Sequence, residues 1–243
     1  MPTVTITRED SVALVRYDRG AKANALSHDT ILDLTRAAEE LAADTTCHLV
    51  ILTGTERRFS AGVDLEDVSL WQPGEDSVAR SEAMAAGGRM VDRWARLPQI
   101  CIAAVEGPAI GGGAILALAA DFRVMGEGSY FRFPEVRLGM TLGWGGLPLL
   151  TALVGPARAK LMLFTDARIE PGEAERLGLC ERAVPAGGAL EAARELAAGI
   201  AACPPMALRM TKRTVDSHCR DNWASGFEAD QFFLSRLLSE ETG

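Results

Sequence analysis

The sequence predicts an α/β fold with a helical C-terminal part, and three observations support this. In roughly the first two thirds of the chain, short apolar strands alternate with segments of helical periodicity. A buried strand at 100–105 leads into the glycine-rich stretch 107–113, and the apolar run 114–120 behind it is typical of a helix buried on all sides. From Ala189 onward the pattern is helical.

The strands are predicted from short runs of apolar, β-branched and aromatic residues bounded by turn residues. The first two face each other across a polar turn, and the third is closed by Thr53-Gly54. A turn at Gly126-Glu127-Gly128 separates a later pair. The predicted strands are 4–8, 12–17, 49–52, 100–105, 122–125, 130–133 and 179–184.

The helices are predicted from capping signals as well as from periodicity. Ser27 is the expected N-cap of the first helix. A second helix is expected at 82–97, after an irregular segment at 71–77. Pro156 and Pro171 are expected at the first positions of two helices. Gly178 is expected to mark the C-terminal end of a helix.

Composition excludes several classes of function. The chain has 243 residues, is 48% hydrophobic and carries a formal net charge of −8, which argues against binding to nucleic acid or to an anionic membrane surface. No signal peptide and no apolar run of about 20 residues is visible. The five cysteines form no C-x-x-C motif, so we expect reduced thiols and a cytoplasmic protein.

The C-terminal part is predicted to mediate assembly. We expect a core at 1–188 followed by a helical region at 189–243, divided by Pro204-Pro205 and by Asp221-Asn222. Its last segment is more apolar than a lone surface helix requires, which favours an oligomer contact. The apolar residues concerned are Phe227, Phe232, Phe233, Leu234, Leu237 and Leu238.

The glycine-rich stretch is the candidate site. Gly112 falls where the buried helix begins, so its N–H has no intrahelical partner and can stabilise a developing negative charge. The spacing fits neither a dinucleotide-binding loop nor a Walker loop. Taken alone, Gly111 to Gly113 could simply allow close helix–strand packing.

Several motifs, in order, resemble the enoyl-CoA hydratase/isomerase family, also called the crotonase family. They are Asn24-Ala25-Leu26, the stretch 59–65 (Phe-Ser-Ala-Gly-Val-Asp-Leu), the stretch 105–113, Pro134-Glu135 and Gly145-Gly146. The resemblance spans nearly the whole chain. It implies a spiral of ββα units with two angled sheets, and a C-terminal helical region that assembles trimers or dimers of trimers.

The resemblance also implies an acyl-CoA substrate, with no metal and no cofactor besides the CoA thioester. The thioester carbonyl would be held by the backbone N–H groups of Ala61 and Gly112. An oxyanion held by two fixed donors is the chemistry that enolate formation needs. The residues expected to contact substrate are Ala61, Gly62, Val63, Asp64, Gly111, Gly112, Ile115 and Trp144.

The chain departs from the hydratases of that family at one informative position. Those enzymes use two glutamates, one of which lies three residues after the oxyanion glycine, and here that residue is Ile115. The second glutamate matches Glu135. A lone carboxyl can move a proton between two carbons, which predicts migration of a double bond from the 3-enoyl to the 2-enoyl position. Hydration, hydrolysis of a thioester or C–C bond, and a non-catalytic binding protein remain alternatives.

Individual residues have simpler interpretations. Glu135 could be a surface partner of Arg132 or Arg137, and Asp64 could cap a following helix. Trp144 could belong to the core instead of the pocket wall.

Overall fold

The computed structural model describes residues 3–71 and 77–219. Over those residues the strands form a six-stranded and a two-stranded sheet. The strands are β1 (Val4–Glu9), β2 (Val12–Tyr17), β3 (Leu49–Thr53), β4 (Ile100–Val105), β5 (Pro108–Ile110), β6 (Phe122–Gly126), β7 (Tyr130–Arg132) and β8 (Arg182–Val184).

The helices lie between these strands and after them. They are α1 (His28–Ala43), α2 (Val68–Trp71), α3 (Ser77–Ala95), α4 (Gly112–Leu118), α5 (Gly146–Val154), α6 (Pro156–Thr165), α7 (Pro171–Leu177), α8 (Ala189–Ala201) and α9 (Pro205–Cys219). Two short 3₁₀ segments are Lys22–Asn24 and Glu135–Leu138.

The larger sheet has the order β1-β2-β3-β4-β6-β8. Only its β1–β2 pair is antiparallel among the pairs described, and the rest are parallel. Strands β3 and β4 are buried along their whole length, because both faces of the sheet are covered by helices. Val50 and Leu52 face the main core, whereas Leu49 and Ile51 face a second apolar cluster on the other side.

The predicted capping signals are confirmed. The Ser27 hydroxyl accepts a hydrogen bond from the Thr30 N–H at 3.2 Å. Pro156 and Pro171 begin their helices. Gly178 ends α7 in the left-handed conformation at φ 78°, which a residue without Cβ adopts at low cost.

Several elements differ from the prediction. The segment Pro108–Ile110, expected as part of a glycine turn, forms β5 and pairs in parallel with β7. Helix α3 begins at Ser77 instead of 82, and Trp71 ends α2 instead of opening an irregular segment; residues 72–76 lie outside the described residues. The last strand covers only Arg182–Val184. A strand as short as β5 depends on a partner distant in sequence, so local pattern alone does not reveal it.

Helix α8 packs on the sheet. Its alanines join the second apolar cluster beside β3, β4 and β6. The expected break at Asp221-Asn222 and the apolar residues after it lie outside the described residues, so the division into 1–188 and 189–243 stays a prediction. Within residues 3–71 and 77–219, no helix has the length and apolar character that crossing a membrane requires.

Candidate active site

A cavity of about 170 Å³ lies where the 60–64 loop, the start of α4 and the Glu135–Leu138 segment meet α2 and α3. Its walls are almost entirely apolar, and Glu135 is the only charged side chain among the described residues that line it. The described lining residues are Ala61, Gly62, Val63, Leu65, Leu70, Trp71, Ala83, Met84, Ile110, Gly111, Gly112, Ile115, Pro134, Glu135, Leu138, Met140, Thr141, Gly143 and Trp144.

Backbone hydrogen bonds hold the 60–64 loop against β5. The Ser60 N–H donates to the Pro108 carbonyl at 2.9 Å, and the Ile110 N–H donates to the Ser60 carbonyl at 3.0 Å. A Cβ atom built on Gly62 would lie 2.7 Å from the Ile110 oxygen and 3.8 Å from the Gly112 nitrogen. The loop therefore approaches the first turn of α4 so closely that position 62 requires glycine.

Gly112 offers the free donor that the sequence predicts. It is the first residue of α4, and Gly111 before it adopts φ 50°. Its N–H therefore has no acceptor within the helix, and no other partner occurs in the part of the chain that the structure describes. Gly111 and Gly112 both line the cavity.

Ala61 does not offer a free donor, which corrects the expectation from sequence. Its N–H donates to the Ala23 carbonyl at 3.2 Å. The next candidate along the loop is Val63, whose N–H has no hydrogen-bond partner among residues 3–71 and 77–219. The Leu26 N–H donates to the Gly62 carbonyl and the Asp64 N–H donates to the Leu26 carbonyl, so the intervening Val63 N–H points away from Leu26.

Asn24 explains why the Asn24-Ala25-Leu26 motif matters. Its buried amide donates to the carbonyls of Phe59 at 2.8 Å and Tyr17 at 3.2 Å. The Ser60 hydroxyl in turn donates to the Asn24 carbonyl at 2.9 Å and accepts from the Gly62 N–H at 3.1 Å. Because buried hydrogen bonds of this kind resist rearrangement, Asn24 and Ser60 are positioning residues for the loop.

Glu135 opens the 3₁₀ segment and directs its carboxyl group towards the glycine turn. A Cβ atom built on Gly111 would lie 2.8 Å from Glu135 Oε1. The other oxygen, Oε2, is buried and has no partner among the described residues. Burial raises the pKa of Glu135 from 4.5 to about 7, because a desolvated carboxylate is disfavoured.

The alternative interpretation of Glu135 as a surface ion-pair partner is wrong. Arg132 binds Asp166 through two hydrogen bonds, at 2.8 Å and 2.6 Å, and Arg137 lies 3.2 Å from the same carboxylate. Both guanidinium groups therefore pair with Asp166. Among the described residues this leaves the Glu135 carboxyl without a cationic partner, in keeping with its raised pKa.

Asp64 lies behind the cavity and is not among its described lining residues. Its carboxylate pairs with Arg19 at 2.7 Å and Lys22 at 3.3 Å. It also accepts a hydrogen bond from the Glu66 N–H at 3.0 Å. The capping interpretation is wrong, because α2 begins at Val68 and the carboxylate that accepts from its first turn is Asp67, from the Ser69 N–H at 3.0 Å. The contacts of Asp64 also give no support to the expected substrate contact.

Ile115 occupies the position at which, by the resemblance described above, a second glutamate would be expected. A Cβ atom built on Gly146 would lie 2.8 Å from Ile115 Cγ1. Ile115 is 2% exposed and lines the cavity. That wall is therefore apolar and closely packed.

Trp144 and Trp71 also border the cavity, and the structure places Trp144 at the pocket wall, packed against the core. The Trp71 indole N–H donates to the Asp64 carbonyl at 2.9 Å. Sequence reasoning missed Val63 as a donor, and missed Leu138, Met140 and Met84 as lining residues. The only signal for these was proximity to the motifs.

Comparison with known proteins identifies the family of this chain. The family model described as enoyl-CoA hydratase/isomerase matches residues 7–242. The chain is 32% identical over 232 residues to a short-chain-enoyl-CoA hydratase of Clostridium acetobutylicum, covering 94% of this chain and 87% of that protein.

Solved structures have the same fold. An enoyl-CoA hydratase from Mycobacterium avium subsp. paratuberculosis K-10 matches with TM-score 0.86 and 26% identity, over 97% of this chain and 90% of that one. A monofunctional enoyl-CoA isomerase from M. smegmatis matches with TM-score 0.77 and 32% identity, over 93% and 98%. The fold is therefore crotonase-like, and the chain is an enzyme that belongs to the enoyl-CoA hydratase/isomerase family.

Proposed function

We propose that this enzyme moves the double bond of an enoyl-CoA thioester from position 3 to position 2. The observation that carries the proposal is the lone carboxyl group. Glu135 is the only carboxyl among the described lining residues, and Ile115 occupies the position where a second would be expected. Addition of water across a double bond is easiest with two carboxyl groups holding one water, whereas proton transfer between two carbons needs one.

In the proposed mechanism the Glu135 carboxylate removes a proton from C2 of the 3-enoyl thioester. The electron pair of that C–H bond passes into the thioester carbonyl and produces a dienolate with its charge on oxygen. Protonated Glu135 then returns the proton to C4, and the double bond ends between C2 and C3. A pKa of about 7 suits a group that acts first as base and then as acid.

The proposed oxyanion donors are the N–H groups of Gly112 and Val63. Both residues line the cavity, and neither N–H has a hydrogen-bond partner among the described residues. Donors fixed before the reaction in an apolar cavity stabilise a developing charge without reorganisation, and losing one typically costs about 10²–10³-fold in rate. The proposal involves no metal and no cofactor beyond the CoA thioester.

Hydration is the second candidate, since the C. acetobutylicum relative is a short-chain-enoyl-CoA hydratase. The apolar wall at Ile115 disfavours it. Hydrolysis of a thioester or C–C bond could use the same donors, but no observation on the cavity favours it over proton transfer.

The test replaces Glu135 with glutamine and follows the absorbance of the conjugated product from 3-hexenoyl-CoA. We expect kcat to fall by about 10²–10⁴-fold. Glu127→Gln is the matched control, because Glu127 is exposed and lies outside the described cavity lining. Turnover by E135Q equal to that of E127Q would refute the mechanism, and rapid hydration of crotonyl-CoA by the unaltered enzyme would favour the second candidate.

We further propose that the chain assembles as a homotrimer or a dimer of trimers. The apolar C-terminal residues named above support this, because a lone helix would expose them to water. Light scattering after size-exclusion chromatography measures the mass directly, and a monomeric mass would refute the proposal.

A further inference from the structure

The Trp144 side chain lies between two helices, at a place where neither carries a side chain. A Cβ atom built on Gly87 of α3 would lie 1.9 Å from Trp144 Cε2 and 2.1 Å from Cζ2. A Cβ atom built on Gly112 of α4 would lie 2.4 Å from Trp144 Cζ3. All three carbons belong to the six-membered ring of the indole, so this ring occupies the gap between α3 and α4.

The backbone of Trp144 is adapted to this position. Trp144 adopts φ 55° and is followed by Gly145 at φ 74°. A left-handed conformation at a bulky residue is strained and persists only when the surrounding structure enforces it. Here the two glycine positions accept the ring and hold it.

The same ring forms part of the cavity wall beside Gly112. Removing it would therefore join the gap between α3 and α4 to the cavity. The three atoms nearest to a Cβ built on Gly87, and the three nearest to one built on Gly112, all belong to this ring. The depth of the cavity at this end thus depends on one residue.

The rest of the cavity indicates what fills it. Leu70, Met84, Leu138 and Met140 contribute apolar surface, which favours an unsubstituted hydrocarbon chain. Glu135, when ionised, would repel a carboxylate on the acyl group. The volume of about 170 Å³ is below the range of about 300–1,000 Å³ for pockets that hold drug-sized ligands, so the chain that fits is short.

Building on the proposed function, we propose that Trp144 ends the acyl cavity and determines the acyl-chain length that the enzyme accepts. With the indole in place, the cavity takes a short, unsubstituted acyl chain. Without it, a longer chain extends between α3 and α4.

The test measures equilibrium binding of CoA and of saturated acyl-CoAs from butyryl to dodecanoyl by calorimetry. Saturated chains cannot isomerise, so the measurement does not depend on turnover. Variants are Trp144→Ala, Trp144→Phe in case the alanine variant does not fold, and Trp71→Ala as control. Trp71 also borders the cavity, but no glycine of another helix abuts its ring in the described contacts.

We expect affinity in the unaltered enzyme to peak at a short chain. In W144A each further methylene that enters the enlarged cavity should tighten binding about fourfold. The chain length of tightest binding should be intermediate in W144F and unchanged in W71A. An unchanged optimum in W144A and W144F, or an equal shift in W71A, would overturn the inference while leaving the proposed function intact. If no acyl-CoA bound more tightly than CoA itself, the proposed function would fail as well.

Discussion

Replacing Gly87 with alanine tests whether the Trp144 indole lies against α3. The new methyl group would lie 1.9 Å from an indole carbon, far inside van der Waals contact, so the ring or the helix must move. Overpacking of this kind costs about 1–3 kcal/mol, whereas alanine in place of glycine inside a helix gains about 0.8–1.0 kcal/mol. We therefore expect Gly87→Ala to lower the free energy of unfolding by up to about 2 kcal/mol.

In a Trp144→Ala background the sign should reverse. With no ring to meet, the methyl group leaves only the gain in helix propensity, so stability should rise by about 1 kcal/mol. The coupling energy of the double-mutant cycle is then the overpacking cost itself, about 1–3 kcal/mol. Gly199→Ala in α8 is the matched control, because a Cβ atom there meets nothing within 4 Å; it should add about 1 kcal/mol in both backgrounds.

The assay is urea unfolding of the four proteins of the cycle, and of the Gly199→Ala variants, at one fixed protein concentration. The concentration must be fixed because the proposed assembly would make the apparent stability depend on it. Additive effects of the two substitutions would refute the placement of the indole. So would a Gly87→Ala variant that gains stability in the same way as the control.

Two further predictions concern Glu135. Since burial raises its pKa from 4.5 to about 7 in the folded protein, the folded state binds the proton more tightly than the unfolded chain. The resulting stability is fully present below pH 4.5 and is lost as the pH rises to about 7, by about 3 kcal/mol at most. Glu135→Gln should lack this loss, and parallel pH dependence of both proteins in urea unfolding would contradict the burial. Separately, the charge of Asp166 helps to raise the Glu135 pKa. Asparagine tolerates the φ of 53° at position 166, but Asp166→Asn leaves the charges of Arg132 and Arg137 uncompensated. The acid limb of the pH profile of kcat/KM should therefore move down by about one pH unit. An unmoved limb would show that the two arginines do not act on Glu135.

The fold was predictable where local pattern and tertiary contacts agree. Apolar runs identify β3 and β4 because both faces of these strands are covered, and capping residues fix the starts of α1, α6 and α7. β5 was not predictable, since three residues beside a glycine become a strand only through pairing with β7.

The candidate site was predictable to the extent that side-chain chemistry marks it. Glu135 and Ile115 stand out because one can carry a proton and the other cannot. The backbone donor in the 60–64 loop cannot be identified from the sequence, because every residue there has an N–H. Only the hydrogen bonds in the folded chain show that the N–H groups of Ala61, Gly62 and Asp64 are occupied. This leaves the Val63 N–H as the donor.

The sequence by itself determined the family, the α/β class and the lone carboxyl group, since these depend on residue types and their order. The tertiary structure decided which N–H groups are free and which carboxylate pairs with Arg132 and Arg137. It also decided that the indole of Trp144 occupies the gap between α3 and α4. These depend on distances between segments far apart in the chain, such as Gly87 and Trp144. Local pattern carries no information about such distances, because they are set by how the helices and sheets pack together.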